Sequence, residues 1–285
     1  MEARSITRVE TITGLSVARM EPLTGGCVGN VFTVELTDGA ELVAKFGDEG
    51  SGLKIEGYML QYLADIGVDL PVPDVLYADD EILLMTRLPG GDKIDLRAER
   101  HAAALLAALH DINGPSFGFE RDTVIGGLNQ KNPVINNWLD FFRDYRLLDM
   151  GYRCLASGSL SKSVMFRLER LAGRLEQWIE EPSRPSLIHG DMWSGNVLCR
   201  NGRITGFLDP AIYFADAEIE LAFMTLFNTF GDDFFARYRE FRPIKPGFFE
   251  NRCDLYNLYP LLVHVRLFGG SYVRSVENTL RRFGC

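Results

Sequence analysis

The sequence predicts an α+β protein of two lobes, with a β-rich N-terminal lobe and a mostly helical C-terminal lobe. Runs of β-branched and aromatic residues with turn signals lie in the first 90 positions. A Pro-Gly-Gly breaker follows at 89–91, and apolar residues at helical spacing dominate after it. We therefore predict an N-lobe over residues 1–89 and a C-lobe over residues 90–285. A chain of 285 residues is long enough for both.

The N-lobe is predicted to contain two helices, a hairpin and a strand pair. A short helix extends to about Thr13. Residues 31–36 and 41–46 flank an Asp38-Gly39 turn signal and predict a hairpin. Apolar residues at helical spacing predict a helix over 54–66, and the next apolar runs predict strands over 75–78 and 81–88.

The C-lobe is predicted to be helical around a few short strands. Between its first two helices the chain is rich in loop residues, at 114–133. Helices are predicted at residues 99–112, 164–179, 218–229, 232–238 and 255–268 and at the chain end, and strands at 197–199 and 204–208.

The composition is that of an ordinary globular protein, since 46% of the residues are hydrophobic and 24% are charged. A net charge of −9 argues against a large nucleic-acid-binding surface. No run of 18 apolar residues predicts a membrane span. The five scattered cysteines lack metal-binding spacing and predict free thiols in a reducing compartment. With no apolar signal region at the N-terminus, the cytoplasm is the expected location.

The segment His189-Gly190-Asp191-Met192-Trp193-Ser194-Gly195-Asn196, here called the catalytic loop, carries the first chemical signal. A carboxylate stands five residues before an amide, on a loop between apolar runs. In phosphoryl transfer such an Asp accepts or orients the proton of the attacking hydroxyl, and the Asn ligates magnesium. The same residue types also favour a polar surface turn.

Asp209 carries the second signal, because it follows the apolar run 204–208 and precedes Pro210. An acidic residue at a strand end, 18 positions after Asp191, is well placed as a second magnesium ligand. The alternative is an Asp-Pro turn without further function.

The third signal lies in the N-lobe. Backbone N–H groups of Gly25, Gly26, Cys27 and Val28 can approach phosphate oxygens closely. Lys45 ends the second predicted strand, where it can reach the same phosphates, and Glu56 on the following helix can hold its ammonium. The alternatives are a simple turn into a hairpin and a lysine that serves solubility.

The order of these features is that of protein kinases: glycine-rich loop, strand Lys, helix Glu, catalytic Asp and Asn, then a strand-end Asp. The chain resembles the fructosamine kinase, or ketosamine-3-kinase, family within the aminoglycoside phosphotransferase and choline kinase group. The catalytic loop is close to the HGDLWSGN of that family. Residues 209–222 are similar to its DPAxYYGDREIDLA, Gly126-Gly127-Leu128-Asn129-Gln130 resembles its IGGLPQ, and Trp138-Leu139-Asp140-Phe141-Phe142 resembles its WxxFF.

The resemblance covers nearly the whole chain and implies a bilobal protein-kinase-like fold. It implies ATP-dependent phosphorylation of the O3 hydroxyl of a ketosamine, with Asp191 as base and with Asn196 and Asp209 as Mg²⁺ ligands. Lys45 and Glu56 would form the ion pair that binds the phosphates. The adenine would lie against the hinge, which is formed by Met85, Thr86 and Leu88.

The resemblance also implies a substrate that joins a sugar to an amine, either a small molecule or a glycated protein. Trp193 is expected to pack against the sugar, and Asp216 is preferred over Glu218 and Glu220 as the contact for an ammonium. Ala215 and Ala217 replace the usual Gly and Arg of the family, which puts substrate contacts at those positions in question.

Two rival functions and one regulatory hypothesis remain open on the sequence. The rivals are an aminoglycoside- or choline-type kinase and a non-catalytic protein that binds ATP. Cys27 lies in the predicted phosphate loop, so its oxidation, for example to an intermolecular disulfide in a redox-linked dimer, would block ATP binding. A small apolar residue that merely fills the loop is the alternative.

Overall fold

The structure is a computed structural model that describes residues 2–23 and 30–285. Its N-terminal lobe is an antiparallel sheet in the order β1-β2-β3-β5-β4. The elements of this lobe, in chain order, are α1 (Glu2–Thr13), β1 (Val17–Pro22), β2 (Asn30–Leu36), β3 (Glu41–Phe46), α2 (Leu53–Asp65), β4 (Val75–Ala78) and β5 (Ile82–Thr86).

Both faces of this sheet are covered, and the alternation of side chains along the strands explains how. On β5, Ile82 and Leu84 pack in the cluster that includes Val9 of α1. Leu83 and Met85 point to the other face and pack with α2. Successive strand residues face opposite sides, so a strand covered on both faces reads as a continuous apolar run. On β3 the same alternation directs Lys45 toward α2.

The C-terminal lobe is mainly helical and contains the large core of the molecule. Its helices are α3 (Leu96–His110), α4 (Trp138–Phe141), α5 (Asp149–Ala156), α6 (Lys162–Ala172), α7 (Glu218–Leu226), α8 (Asp232–Phe241), α9 (Cys253–Phe268) and α10 (Ser271–Arg282), with π-helical segments at Phe142–Leu148 and Phe248–Arg252 and 3-10 turns at Leu175–Gln177 and Ser194–Asn196.

Three two-stranded ladders lie among these helices. They pair β6 (Thr123–Ile125) with β7 (Leu128–Gln130), β8 (Ser186–Ile188) with β11 (Tyr213–Ala215), and β9 (Val197–Arg200) with β10 (Arg203–Phe207). The catalytic loop runs from β8 to β9. The segment 208–212, here called the Asp209 loop, runs from β10 to β11. Because each loop joins the same two ladders, the two loops lie side by side.

The predicted fold class, with a β-rich N-terminal part and a helical C-terminal part, is confirmed together with most of the predicted elements, and the differences have local causes. Helix α3 begins at Leu96 because the side chain of Asp95 caps it by accepting from the N–H of Ala98 at 2.9 Å. The helix expected over 164–179 ends at Ala172, next to Gly173. The stretch 114–133 was expected to be loop-rich, yet it contains the β6–β7 hairpin. Within the described residues, no helix is both long and apolar enough to cross a membrane.

Candidate active site

The two lobes meet at Lys45. Its Nζ lies 2.6 Å from Glu56 Oε1 on α2 and also donates to Asp209 Oδ1 of the C-lobe. Burial lowers the pKa of this ammonium, but the negative charges of Glu56 and Asp209 outweigh that effect, so the pKa of Lys45 lies above its ordinary value. Lys45 is therefore a fixed cation at the cleft, and two of the predicted site residues are its partners.

The catalytic loop brings Asp191 and Asn196 into direct contact. Its 3-10 turn folds Asn196 back, so that Nδ2 donates at 2.9 Å both to Asp191 Oδ2 and to the Asp191 carbonyl. The amide nitrogen is committed to these two bonds, which leaves the carbonyl Oδ1 as the ligating atom of the side chain. The N–H of Leu208 donates to the Asn196 carbonyl at 2.9 Å and ties this loop to the Asp209 loop.

The two loops cross at Ala211 and Gly190. The N–H of Ala211 donates to the His189 carbonyl at 2.7 Å. Gly190 has a φ of +86°, and a Cβ on it would lie 2.2 Å from the carbonyl oxygen of Ala211. Only glycine allows this approach. The spacing between Asp191 and Asp209 therefore depends on the absence of a side chain at Gly190.

A buried chain of polar groups holds the catalytic loop from behind. The N–H of Gly190 donates to Glu220 Oε1 at 2.6 Å, and Glu220 Oε2 lies 2.8 Å from His110 Nε2. His110 Nδ1 lies 2.7 Å from the Tyr238 hydroxyl. Burial raises the pKa of Glu220, but its hydrogen bond to His110 and the electrostatic interaction with that ring outweigh burial, so the net shift of the Glu220 pKa is downward. Glu220 is thus an anchor of the loop and its oxygens are not free for a substrate ammonium.

Asp209 has backbone and side-chain features suited to a ligand-binding residue. Its φ is +53°, in the left-handed region that non-glycine residues rarely occupy. Its side chain is 46% exposed although Lys45 holds one oxygen. The other oxygen can therefore face a bound ligand in the cleft.

The donor set of Asn196 and Asp209 fits a magnesium ion. Both supply hard oxygen atoms, and Mg²⁺ in phosphoryl-transfer sites is held by one or two such side chains together with phosphate oxygens. Across residues 2–23 and 30–285, no three His, Cys, Asp or Glu side chains are grouped so that they could hold a metal. Nucleotide phosphates and water would complete the coordination of a magnesium ion held by these two side chains.

Of the predicted hinge residues, Met85 and Thr86 are the last two residues of β5 and Leu88 follows the strand, and one backbone group among them is already hydrogen-bonded. The N–H of Thr86 donates to the Asp74 carbonyl at 2.9 Å, so Thr86 can offer only its carbonyl to an adenine. Met85 is buried on the α2 face of the sheet. The side chain of Leu88 packs on Gly206 of β10, where a Cβ would lie 2.7 Å from Leu88 Cδ1. Gly25, Gly26, Cys27 and Val28 lie outside the described residues.

Trp193 belongs to a group of aromatic rings beside the catalytic loop. Its ring covers Gly195, where a Cβ would lie 2.2 Å from Trp193 Cη2. It also forms an edge contact with Phe227, with a centroid distance of 6.3 Å and an interplanar angle of 61°. The group continues through His264, 5.0 Å from Phe227, to Tyr272, 4.8 Å from His264. The sequence singled out only Trp193, because its partners come from α9, α10 and the end of α7.

Asp216 is not brought to this cluster. In the β8–β11 ladder Ala215 pairs with Ser186, at the end remote from the catalytic loop. The carboxylate of Asp216 accepts from the Tyr256 hydroxyl at 2.7 Å and from the N–H of Glu218 at 3.0 Å. Glu218 is itself paired with Arg252. The expected ammonium contact at Asp216 thus finds no support in this geometry.

Comparison with known proteins identifies the family. A family model described as fructosamine kinase matches residues 3–283. The chain belongs to the fructosamine kinase family. It is therefore an ATP-dependent phosphotransferase with a kinase-like fold.

Individual relatives agree with this assignment. A protein of Enterococcus faecium named "probable ketoamine kinase" is 30% identical over 272 residues, covering 92% of this chain and 94% of that protein. A namesake from Synechocystis is 36% identical over 181 residues, and that match spans only 59% of its own length. A solved structure from Thermobifida fusca, assigned to fructosamine-3-kinase, superposes with a TM-score of 0.87 at 31% identity and covers 97% of this chain and 96% of its own.

More distant structures share the fold alone. An aminoglycoside phosphotransferase solved with ADP and hygromycin B has a TM-score of 0.69 at 18% identity, with 97% of each chain covered.

Substitution of Gly190 tests the crossing of the two loops. We expect Gly190→Ala to lower ATP turnover at least ~10-fold, because the new Cβ forces apart Ala211 and the catalytic loop. Gly158→Ala is the matched control, since Gly158 has a φ of +74° with nothing within 4 Å of its Cβ position. It carries the same left-handed penalty of about 1 kcal/mol without the clash. Equal turnover of the two variants in a steady-state assay would show that the crossing does not set the geometry.

Proposed function

We propose that this protein transfers the γ-phosphoryl group of Mg·ATP to the O3 hydroxyl of a ketosamine, with Asp191 accepting the hydroxyl proton. The observation that carries the proposal is the single connected set formed by Lys45, Asp209, Asn196 and Asp191. A relative from Arabidopsis thaliana named protein-ribulosamine 3-kinase, 34% identical over 183 residues and matched over 54% of its length, supports the choice of acceptor.

Each side chain of the set has a part in the transfer. Lys45, oriented by Glu56, would hold the α and β phosphates of the nucleotide. Asn196 and Asp209 would hold Mg²⁺, which neutralises charge on the transferred group when bound. Asp191 faces the acceptor hydroxyl, orients it and takes its proton as the bond to phosphorus forms. Asn196 fixes the rotamer of Asp191 by donating to its carboxylate.

The acceptor would lie against the aromatic group of Trp193, Phe227, His264 and Tyr272. Aromatic faces pack on sugar rings and attract protonated amines. His264 Nδ1 lies 2.7 Å from the Pro260 carbonyl, an obligate acceptor, so Nδ1 carries the proton. Nε2 is then an acceptor for a hydroxyl or ammonium. We place the substrate amine at this group and leave Asp216 out of the acceptor site.

We further propose that the protein works in the cytoplasm on small ketosamines or on glycated protein amines. Cys154, Cys199, Cys253 and Cys285 are free thiols in the structure, which supports a reducing compartment.

A substrate panel tests the proposed acceptor. With Mg²⁺ and ATP, we expect ADP formation with fructosyl-lysine and ribulosyl-lysine and none with choline or kanamycin, because only the sugar amines present the O3 hydroxyl to Asp191. Asp191→Asn should lower kcat by roughly 10²–10⁴-fold while ATP still binds in calorimetry. Asp65→Asn, an exposed substitution at the end of α2, should leave kcat unchanged. If the protein turned over kanamycin or choline but neither sugar amine, the proposed ketosamine acceptor would be wrong.

The protonation of Asp191 predicts an acidic limit to activity. Burial raises the pKa of Asp191 to about 7, the negative charge of Asp209 adds to the shift, and the bond from Asn196 opposes it. Because the pKa is raised, part of the Asp191 population stays protonated at neutral pH. The carboxylate, which is the form that can accept a proton, increases as the pH rises. We expect kcat/KM for ATP to fall about tenfold per pH unit below ~6. A profile that stays flat down to pH 5, with circular dichroism confirming the fold, would contradict this role.

Oxidation tests the proposal for Cys27. The thiol precedes β2, in the segment expected to cover the phosphates, so its oxidation should block ATP binding. We expect mild hydrogen peroxide to lower ATP turnover, a reductant to restore it, and Cys27→Ser to be insensitive. Cys285→Ser, which removes a partly exposed thiol of the described residues, should remain sensitive. Equal sensitivity of Cys27→Ser and the wild-type protein would refute the switch, and non-reducing electrophoresis would report a disulfide-linked dimer.

A further inference from the structure

The side chain of Gln130, at the end of β7, is buried and fully bonded. It is 2% exposed. Its Nε2 donates to Thr123 Oγ at 2.9 Å and to the carbonyl oxygen of Ala211 at 3.0 Å. Its Oε1 accepts from the Tyr259 hydroxyl at 2.7 Å. A buried amide is costly unless it is bonded in this way. Gln130 therefore joins the β6–β7 hairpin to the Asp209 loop at one defined atom.

Thr123, on the neighbouring strand of the hairpin, makes a second contact with the same loop. Its side chain is fully buried, and its hydroxyl donates to the Ile212 carbonyl at 3.4 Å. The hydroxyl oxygen also accepts from Gln130 and from Asn132 Nδ2, the latter at 2.8 Å. The hairpin thus holds two successive carbonyls, those of Ala211 and Ile212, directly after Asp209 and Pro210.

Ala211 is the residue at which the two functional loops cross. Its N–H bonds to the His189 carbonyl at 2.7 Å, and its carbonyl oxygen covers the Cα of Gly190. A force on the Ala211 carbonyl therefore acts on both loops. Gln130 is the side chain bonded to that carbonyl, although it touches neither Asp191 nor Asp209 in any described contact.

The other end of the network is rigidly anchored. Arg146 is fully buried within the π-helical segment Phe142–Leu148 and donates to Asn132 Oδ1 at 2.6 Å. Its guanidinium lies over the rings of Tyr213 at 3.9 Å and Tyr259 at 5.3 Å. Tyr259 in turn donates to Gln130. These contacts fix the hairpin to the C-lobe core. The position of Gln130 is therefore set by the core, and Gln130 in turn sets the position of the Ala211 carbonyl.

We propose that Gln130 is a positioning residue that sets the spacing between Asp209 and the catalytic loop, and hence the fit of the Asn196 and Asp209 oxygens to one metal–nucleotide complex. The inference rests on the proposed function for its effect on turnover. Its effect on metal binding needs no acceptor substrate.

The test replaces Gln130 by Met, which has similar length and volume but no N–H donor. The variant removes all three hydrogen bonds of Gln130, but only the one to the Ala211 carbonyl reaches the Asp209 loop. We therefore expect the dissociation constant of Mn²⁺, measured with a non-hydrolysable ATP analogue bound, to rise about 3- to 10-fold. Electron paramagnetic resonance of free Mn²⁺ measures this. In turnover assays, kcat should fall and the Mg²⁺ concentration for half-maximal rate should rise, whereas KM for the ketosamine should change less than ~2-fold.

A matched control separates positioning from stability. Asn129→Ala changes an exposed residue of the same hairpin whose side chain bonds Asp122. Its backbone carbonyl, which accepts from Arg153 at 2.6 Å, is kept in the variant. This variant should bind Mn²⁺ and turn over ATP as the wild-type protein does. Wild-type Mn²⁺ affinity in Gln130→Met, with only a lower melting temperature, would overturn the proposal and leave Gln130 as a structural residue.

A second variant carries the test if Gln130→Met does not fold. Thr123→Val keeps the shape of the side chain and removes the hydroxyl that bonds Ile212 and Gln130. Weaker Mn²⁺ binding with retained fold supports the proposal, and unchanged binding contradicts it. Failure of the proposed function is distinguishable, since a wild-type protein that phosphorylates no ketosamine would still show the Mn²⁺ difference between these variants.

Discussion

The close approach of Ala211 to Gly190 is the constraint on which the site depends. The catalytic loop and the Asp209 loop cross at these two residues. The carbonyl oxygen of Ala211 occupies the position that a side chain on Gly190 would need. This crossing sets how far Asp191 lies from Asp209, and every other contact supports it. The Glu220 carboxylate accepts from the N–H of Gly190, and the Gln130 amide donates to the Ala211 carbonyl. The N–H of Leu208 donates to the backbone carbonyl of Asn196.

Ion pairs of Lys45 connect the two lobes across the cleft. Lys45 is held by Glu56 from its own lobe and by Asp209 from the other. Three charged groups in a half-buried cleft are stable only while they are paired. Nucleotide phosphates and a metal ion bring charges of both signs, so they can replace the Lys45–Asp209 contact without leaving any group unpaired. The ion pair joins the two lobes in the structure, and under the proposed function a bound Mg·ATP would replace it.

Much of this was predictable from residue types and their order. The alternation along β3 and the helical spacing of α2 place Lys45 opposite Glu56, and strand ends place Asp191 and Asp209. The supporting contacts were not predictable. His110 lies at the end of an amphipathic helix, and nothing local marks it as the partner of Glu220, 110 positions away. Gln130 lies in a stretch whose residue types predict a loop, because strands of three residues are too short to show an alternating pattern. Asp216 was placed near the site by its closeness in sequence to Asp209, but the β8–β11 register carries it to the other end of the ladder.

A crystal structure of the protein with Mg²⁺, a non-hydrolysable ATP analogue and fructosyl-lysine is the most direct measurement of the central claim. The account predicts one metal bound by Asn196 Oδ1 and an Asp209 oxygen, with the ketosamine O3 within about 2.6–3.2 Å of the Asp191 carboxylate. A metal held elsewhere, or an acceptor hydroxyl that reaches a different side chain in place of Asp191, would contradict it.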